Sequence, residues 1–548
     1  MNNQVDAQYI QDEESESLKN VDLSSVSRIK KRQGYHRAVA PRSSTGPTAL
    51  AAGKYTRNIL DFAPDNGRSR YIYSIHDEGI YRVQSILPAS GITPSDWDEA
   101  TGATITVTGT VGSDANTSSD TFAIQADNKL FWFNKGDTAP RMADSLGAVT
   151  ICDTGTTEPP VGTCAEYMND RLFIAGVDGD PNIVYYSASG DVTTFETTLN
   201  AIKFDVGRDG NIVAMKKRRG NEMMVFLNNA VEALQEDFTY SNTGIDNWYR
   251  TVLEPTIGCG ARDSVVMYGD EMIFIDDQGL VRLLGRSVND KQKGVFGAPL
   301  SEKIQETFPG NINKAHMNKA QSVIFDNKLF IAAPSSTSTE NDFVAVYDFR
   351  YRTWTGIWET LAVRKWLVSD IATDGVEELY FSSDGGEFFH LLDGKFQDKR
   401  ANNSAEAAEY GAEVPIELEI KTKAYDFQAP SSEKIWHWLE IEADGTAGST
   451  LDVYVSIDGE PEESVGSVSL VGGVQPALDD ASATTGPPQL PIQLVSLPKI
   501  RKKFHMEAHP RGISAQLILR NTDANTSAIL VGHRFGALVE NVDLELES

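Results

Sequence analysis

Apolar and polar residues alternate at period two along much of this chain, and the alternating runs return at a spacing near fifty residues. Ile416–Lys423, Leu451–Ile457 and Ile105–Thr108 alternate cleanly, which is the pattern of strands with one buried face. Helical spacing is scarce. It is best developed at Ser301–Phe308, where Ser301 is placed as an N-cap, Ile304 and Phe308 stand at i and i+4, and Pro309 follows as a stop. The sequence therefore predicts an all-β protein with minor helices.

Two units recur. In the first, a strand meets an Asp-x-Gly turn and a second strand follows: Tyr71–Val83 around Asp77 and Gly79, Met272–Leu283 around Asp277 and Gly279, and Leu379–Leu391 around Asp384 and Gly386. Glycine supplies the positive φ that a tight hairpin needs, and aspartate tolerates or caps it. In the second, a polar turn feeds an apolar run, as in Asn128–Trp132, Asn169–Ile174 and Asn327–Ile331. Strand starts at Tyr71, Leu130, Leu172, Met223, Met272, Leu329 and Leu379 are 42 to 59 residues apart. Several strands per irregular period of this length predict a β-propeller, whose blades bury their faces only against one another. Six or seven blades fit between residues 46 and 398.

The flanks differ. Residues 1–45 show no core pattern and read as an extended arm, acidic and then basic. Residues 399–413, with few strand formers, read as a linker or a short helix. From 414 to 548 alternating strands resume without the blade motifs, at 451–457, 503–508, 514–520 and 528–538, which predicts an antiparallel β-sandwich. There Ile435, His437, Leu439 and Ile441 are expected on one face and Trp436 and Trp438 on the other. Val471–Leu490, rich in Gly, Pro, Ala and Asp, is expected to be a long loop.

Charge narrows the function. The chain has 49 basic and 78 acidic side chains, net −29, divided as −16 over 1–400 and −13 over 401–548. Such a chain does not grip nucleic acid through its overall charge. No apolar run reaches membrane-helix length, and the acidic N-terminus is unlike a signal peptide. Cys152, Cys164 and Cys259, an odd set without a CxxC, read as buried thiols of a protein made in a reducing cytoplasm, although Cys152 and Cys164 could close a loop.

Catalytic patterns are not found: HExxH, GxSxG and Walker-type loops are absent. His505 and His509 would lie about 13 Å apart along a strand, so they read as ordinary histidines and not as a metal pair. Asp178–Asn182 reads as a turn, since it lacks the spacing and terminal glutamate of a calcium loop. Ser382–Phe389 is similar to the sialidase Asp-box, with Phe389 in the tryptophan place, a structural turn remote from that family's active site. The basic clusters at Lys216–Arg219 and Arg501–Lys503 read as solvated turns or protein contacts and not as base-reading modules. The cluster formed by Arg28, Lys30, Lys31 and Arg32 is the one expected to bind a partner, by docking the arm onto an acidic subunit. No catalytic, metal or cofactor residue is assigned.

Over residues 167–358 the sequence resembles the β-propeller virion proteins of tailed bacteriophages, including the tail nozzle or hub proteins of short-tailed phages. Asn169–Gly176, Asp180–Ser187 and Gly190–Phe195 look like one blade of that family. Gly210–Met215 with Met224–Phe226, and Gly258–Val266 running into the Asp277 hairpin, resemble the next two. Leu300–Gln305 with Ile312–Asn313 is similar to a crossover segment, and Asp348–Trp354 to a closing strand. Lys30–Gly34 is similar to a basic turn common near the N-terminus of such proteins, with Gln33 where proline is usual.

The resemblance implies a non-enzymatic homo-hexameric ring, assembled in the host bacterial cytoplasm and carried in the virion tail. Its implied partners are a portal–adaptor ring and other tail proteins. Double-stranded DNA would pass through without specific binding, and acidic walls would repel phosphate. A peripheral virion protein for fibre attachment or host glycan binding is the first alternative, and a propeller glycosidase the second. No cofactor is implied.

Overall fold

A computed structural model of the chain describes residues 2, 14–25, 28–39, 56–63, 71–76, 79–83, 98–99, 121–134, 139–143, 149–152, 157–205, 210–218, 221–236, 248–285, 298–370, 376–383, 388–392, 394–398, 413–470, 500–506, 509–524 and 526–539. Among these residues, seven small antiparallel sheets follow one another as the blades of a propeller. Blade 1 is built from Thr56–Phe62, Tyr71–His76, Gly79–Val83 and Asp98–Glu99, and blade 2 from Thr121–Ala126, Lys129–Asn134, Arg141–Ala143 and Val149–Ile151. Blade 3 holds Cys164–Met168, Arg171–Val177, Asp180–Tyr186 and Ala201–Lys203, and blade 4 Ile212–Arg218, Glu222–Leu227, Val231–Glu236 and Trp248–Glu254. Blade 5 has the three strands Val266–Tyr268, Glu271–Ile275 and Val281–Leu284, and blade 6 has Gln321–Phe325, Lys328–Ala333, Phe343–Asp348 and Thr353–Glu359. Blade 7 combines Lys365–Ser369, Glu378–Ser382 and Phe388–Leu391 with a fourth strand, Tyr35–Val39, from the N-terminal arm.

The first strands of successive blades lie side by side, except that the 3-10 turn Arg262–Ser264 meets the first strand of blade 4 in place of Val266–Tyr268, and Lys365–Ser369 packs on Thr56–Phe62 to close the ring. All seven strand starts read from the sequence fall in the second strands. These strands are covered on both faces by neighbouring blades, so Glu222–Leu227 and Lys328–Ala333 are buried at every position. Phe173, Phe226, Phe274 and Phe330 are fully buried there, at about 1.5–3 kcal/mol of hydrophobic stabilisation each.

The two recurrent units occupy different corners of a blade. The Asn-type turns join first to second strands. At Asn169–Asp170 (φ 51° and 57°) and Asp326–Asn327 (φ 46° and 56°) both central residues are left-handed, the type I′ geometry that suits strand twist. The Asp-x-Gly turns join second to third strands, with Gly279 at φ 88°. Residues 77–78 and 384–387 of the other two copies lie outside the described residues.

The C-terminal domain is a two-sheet sandwich. One sheet pairs Leu418–Tyr425, Ala515–Asn521, Thr450–Ile457 and Glu463–Ser469 in that order; the other has Lys434–Gly445 between Ala528–Val539 and Ile500–His505. The described part of the arm, residues 14–25 and 28–39, is built into both domains. Its strand Ser15–Lys19 pairs with Leu418–Tyr425 on one side and, in parallel, with Thr353–Glu359 of blade 6 on the other. Val21–Ser25 and Arg28–Lys31 extend the second sandwich sheet next to Ala528–Val539. A single apolar cluster runs from Ile273 and Ile331 in the propeller through Leu18 and Val21 to Trp436 and Leu519 in the sandwich.

Two further expectations are revised. The helix at Ser301–Phe308 is a short 3-10 turn, Glu302–Ile304, and the Ser301 hydroxyl accepts from the Val281 amide (3.1 Å) instead of capping it. In the strand Lys434–Gly445 the register shifts between Trp436 and Trp438. This β-bulge changes the phase, so Trp436 is buried on the face of Leu439 and Ile441 and His437 turns outward. The strand expected at 503–508 is Ile500–His505. Ile105–Thr108, Val471–Leu490 and most of the linker lie outside the described residues.

Candidate functional site

The basic cluster predicted to dock a partner is folded largely into the chain itself. Arg28 and Lys30 are half-buried on the edge hairpin, with Lys30 Nζ 3.4 Å from Asp22. Lys31 is fully buried and donates to Asn521 Oδ1 (2.9 Å) and to the Asp523 carbonyl (2.8 Å). Burial pulls its pKa down to about 8, partly offset by the Asp523 carboxylate. Arg32, also fully buried, makes a two-pronged ion pair with Asp398 (2.8 and 2.5 Å) and donates to Asn20 Oδ1 (2.9 Å). Its guanidinium stands 5.6 Å from the Trp358 ring. Lys31 and Arg32 thus make their hydrogen bonds inside this chain, while Arg28 and Lys30 lie half-buried on the edge hairpin.

A second cluster, unseen in the sequence, lies on the propeller axis. First strands of several blades and the 3-10 turn Arg262–Ser264 surround a cavity of about 410 Å³. Asp263 accepts two bonds from Arg262 (2.9 and 2.8 Å), one from Lys365 Nζ (2.5 Å) and one from Gln321 Nε2 (3.2 Å). Arg262 reaches across to the Thr163 carbonyl (2.6 Å) and stands over Phe122 at 5.3 Å. Next to it, Arg364 donates to the Thr56 carbonyl (3.3 Å) and pairs with Glu340, which also holds Lys319. Residues from blades 1, 2, 3, 5, 6 and 7 are thereby tied across the axis. Although burial opposes ionisation of Asp263, its two cations hold the carboxyl far below the usual range. Burial lowers Lys365 to about 8 against the pull of Asp263. A buried, mutually satisfied ion cluster of this kind locks geometry.

The remaining candidates are ordinary structure. Tyr380 donates to Glu378. Tyr380 is buried on a second strand, and burial with the Glu378 hydrogen bond and charge pushes its hydroxyl well up. The three cysteines are buried and none is in a disulfide, and burial raises Cys164 and Cys259 to about 12. Asp178–Asn182 forms a hairpin in which Asp180 accepts from Tyr185 (2.8 Å) and Asn182 donates to the Phe204 carbonyl (2.5 Å). Lys216 pairs with Glu166 and Arg218 with Glu222. On the sandwich, Arg501 pairs with Glu442 and Lys503 sits 4.1 Å over Trp438. Among the described residues no group of three potential metal ligands gathers, and no helix is long and apolar enough to cross a membrane.

No protein-family profile matches the chain, and no curated protein matches it. Among solved structures it is similar to PorZ, a surface component of the type-IX secretion system of Porphyromonas gingivalis, at 12% identity and a TM-score of 0.36, over 63% of this chain and 38% of that one. The extracellular domain of the one-component system BT4673 of B. thetaiotaomicron is similar at 11% identity and a TM-score of 0.39, over 65% and 40%. YCF48 of Cyanidioschyzon merolae is similar at 10% and 0.37, over 62% and 97%. The chain spans about two fifths of the length of the first two.

Proposed function

We propose that this chain is a structural subunit of a bacteriophage tail, a nozzle or hub protein that joins a homo-hexameric ring on the portal–adaptor complex and lines part of the path by which the genome leaves. The observation that carries this reading is the order of the resemblance along the fold. Asn169–Gly176 is the turn and second strand of blade 3, Asp180–Ser187 its third strand, and Gly210–Met215 with Met224–Phe226 the first hairpin of blade 4. Gly258–Val266 opens blade 5, Leu300–Gln305 crosses to blade 6, and Asp348–Trp354 is the last hairpin of blade 6. Short matches of this kind gain weight when each falls on a successive element in register.

Two physical points support the reading. The axis of the single propeller is spanned by the Asp263 cluster around a cavity of about 410 Å³. B-DNA, whose major groove alone is about 12 Å wide, cannot pass there, so its path is the lumen between subunits. The net charge of −29 suits walls along which a polyanion slides without sticking. The ion clusters hold shape and carry out no chemistry in this scheme.

The test is direct. Full-length protein, alone and mixed with the portal–adaptor complex of its phage, is weighed by mass photometry and imaged by negative-stain microscopy. Six copies in a ring with an open lumen on the adaptor are expected. A monomer that ignores the adaptor, or one that hydrolyses glycosides, would overturn the proposal.

A further inference from the structure

At one end of the sandwich, between its two sheets, lies a cavity of about 630 Å³, within the range that holds small ligands. The register of the strand Ala528–Val539 decides which of its side chains face that space. His533 stands opposite Ile441 and Phe535 opposite Leu439, both buried core positions. Arg534 stands opposite Glu440, which leans toward Arg501 on the outer face. The cavity is therefore lined by His533 and Phe535 from one sheet and by Ile420 and Tyr425 from the other. Phe427 borders it and is 46% exposed, so the cavity is open at that end. Phe427 is held there by a turn in which it and Gln428 both take positive φ, 52° and 60°, a conformation that non-glycine residues seldom adopt. One face of its ring stacks on buried Trp436 at 5.5 Å.

The polar groups at this space suit an uncharged partner. His533 Nε2 and Tyr425 Oη are 2.9 Å apart on the wall. Burial lowers the His533 pKa to about 4, so its imidazole is neutral at neutral pH. Among the described residues the second ring nitrogen of His533 has no hydrogen-bond partner. That nitrogen donates in one tautomer and accepts in the other, and a hydroxyl, which does both, satisfies it in either. Glu14, from the arm, also borders the cavity, with its carboxylate held by Lys303 and by Asn2 (2.6 Å). An anionic ligand would meet that charge with no cation facing it. A cationic ligand would find it already paired.

We propose that this cavity binds a neutral pyranose, an uncharged sugar ring. The C–H face of the sugar packs on the side of the Phe427 ring that Trp436 leaves uncovered, and one hydroxyl bonds the second nitrogen of His533. The remaining hydroxyls keep their water at the open end, so the cavity needs few polar groups of its own. A purely apolar ligand would fill the aromatic walls but strip water from the His533 nitrogen without replacing it. This inference stands apart from the tail assignment and holds whether or not the chain forms a ring.

The experiment titrates full-length protein with the methyl glycosides of glucose, galactose, mannose and N-acetylglucosamine, using saturation-transfer NMR and calorimetry. Methyl glucuronide, glucosamine and cyclohexanol serve as the acidic, cationic and apolar counterparts. Binding of at least one neutral glycoside is expected, with each counterpart at least about tenfold weaker. Phe427→Ala and His533→Leu are each expected to weaken the neutral glycoside by a similar factor while circular dichroism shows the native fold. Arg534→Gln, on the outer face, is expected to keep full affinity. The proposal fails if no neutral glycoside binds, or if any counterpart binds equally well. It also fails if folded Phe427→Ala and His533→Leu proteins both keep full affinity, or if Arg534→Gln loses it, which would move the site to the outer face.

Discussion

Arg32 sits where arm, propeller and sandwich meet, and every nitrogen of its guanidinium is engaged: with Asp398, Asn20, the Glu359 and Gln33 carbonyls and Thr360. Both charges of the Arg32–Asp398 pair are removed from water, so removing one leaves the other uncompensated. Arg32→Ala is expected to lose about 3–5 kcal/mol of unfolding free energy in urea. The double change Arg32→Met with Asp398→Leu is expected to recover much of that loss. A cost below about 1 kcal/mol for Arg32→Ala would show that the pair does not hold the junction. His533 makes a second residue-level case. Burial lowers its pKa from 6.5 to about 4, so between those values the unfolded chain binds the extra proton and the folded one does not. Stability from this group is complete above about pH 6.5 and falls as pH drops toward 4, by at most about 1.4 kcal/mol per pH unit. His533→Gln should flatten the fall in melting temperature across that window; an unchanged profile would assign the acid sensitivity elsewhere.

At the scale of elements, the arm strand Ser15–Lys19 closes on blade 6 only because Gly356 has no side chain. Gly356 has φ 152°, and a Cβ there would lie 2.6 Å from the Leu18 carbonyl oxygen. Gly356→Ala is expected to cost about 1–3 kcal/mol and to open the chain near Ser15–Lys19 to proteolysis. Gly269→Ala, at φ 62° with open space around it, should cost about 1–2 kcal/mol of backbone strain alone and leave the arm protected. Equal proteolysis of the two variants would refute the close-contact account. The same elements show which parts of the fold the sequence could reveal. Second strands were legible because blades cover them on both faces, and their turns because Asn169, Asn327 and Gly279 are residue types that positive φ favours. The arm was not legible, since four- and five-residue strands carry little periodicity and their partners lie far away in sequence. Lys31 reaches Asn521, and Arg32 reaches Asp398. The axial cluster was hidden for the same reason: Asp263 and Lys365 are 102 residues apart, and alternation says nothing about which charges converge. The bulge at Trp436–Trp438 misled because one inserted residue inverts the face of every residue beyond it.

For the whole molecule, the arm turns a propeller and a sandwich into a single cooperative body. Ordinary domains in one chain meet through modest, fairly polar interfaces and move independently. Here blade 6 and one sandwich sheet form a continuous nine-stranded sheet through Ser15–Lys19. Lys328 of blade 6 pairs with Asp22 (2.5 Å), Trp358 Nε1 donates to the Val21 carbonyl (2.7 Å), and the apolar core crosses the junction without a break. Neither part can lose its packing without exposing the other's sheet edge. Scanning calorimetry of the full chain should therefore show the propeller and sandwich unfolding in one transition, with matching midpoints from far-UV dichroism and tryptophan fluorescence. Combining Arg32→Ala with Gly356→Ala, which loosens the arm at both ends of its path, should split that transition into two. A wild-type chain that already melts in two steps would mean that the arm adheres to the two domains without coupling them. Under the tail role proposed above, this coupling would let force applied to one domain be borne by both.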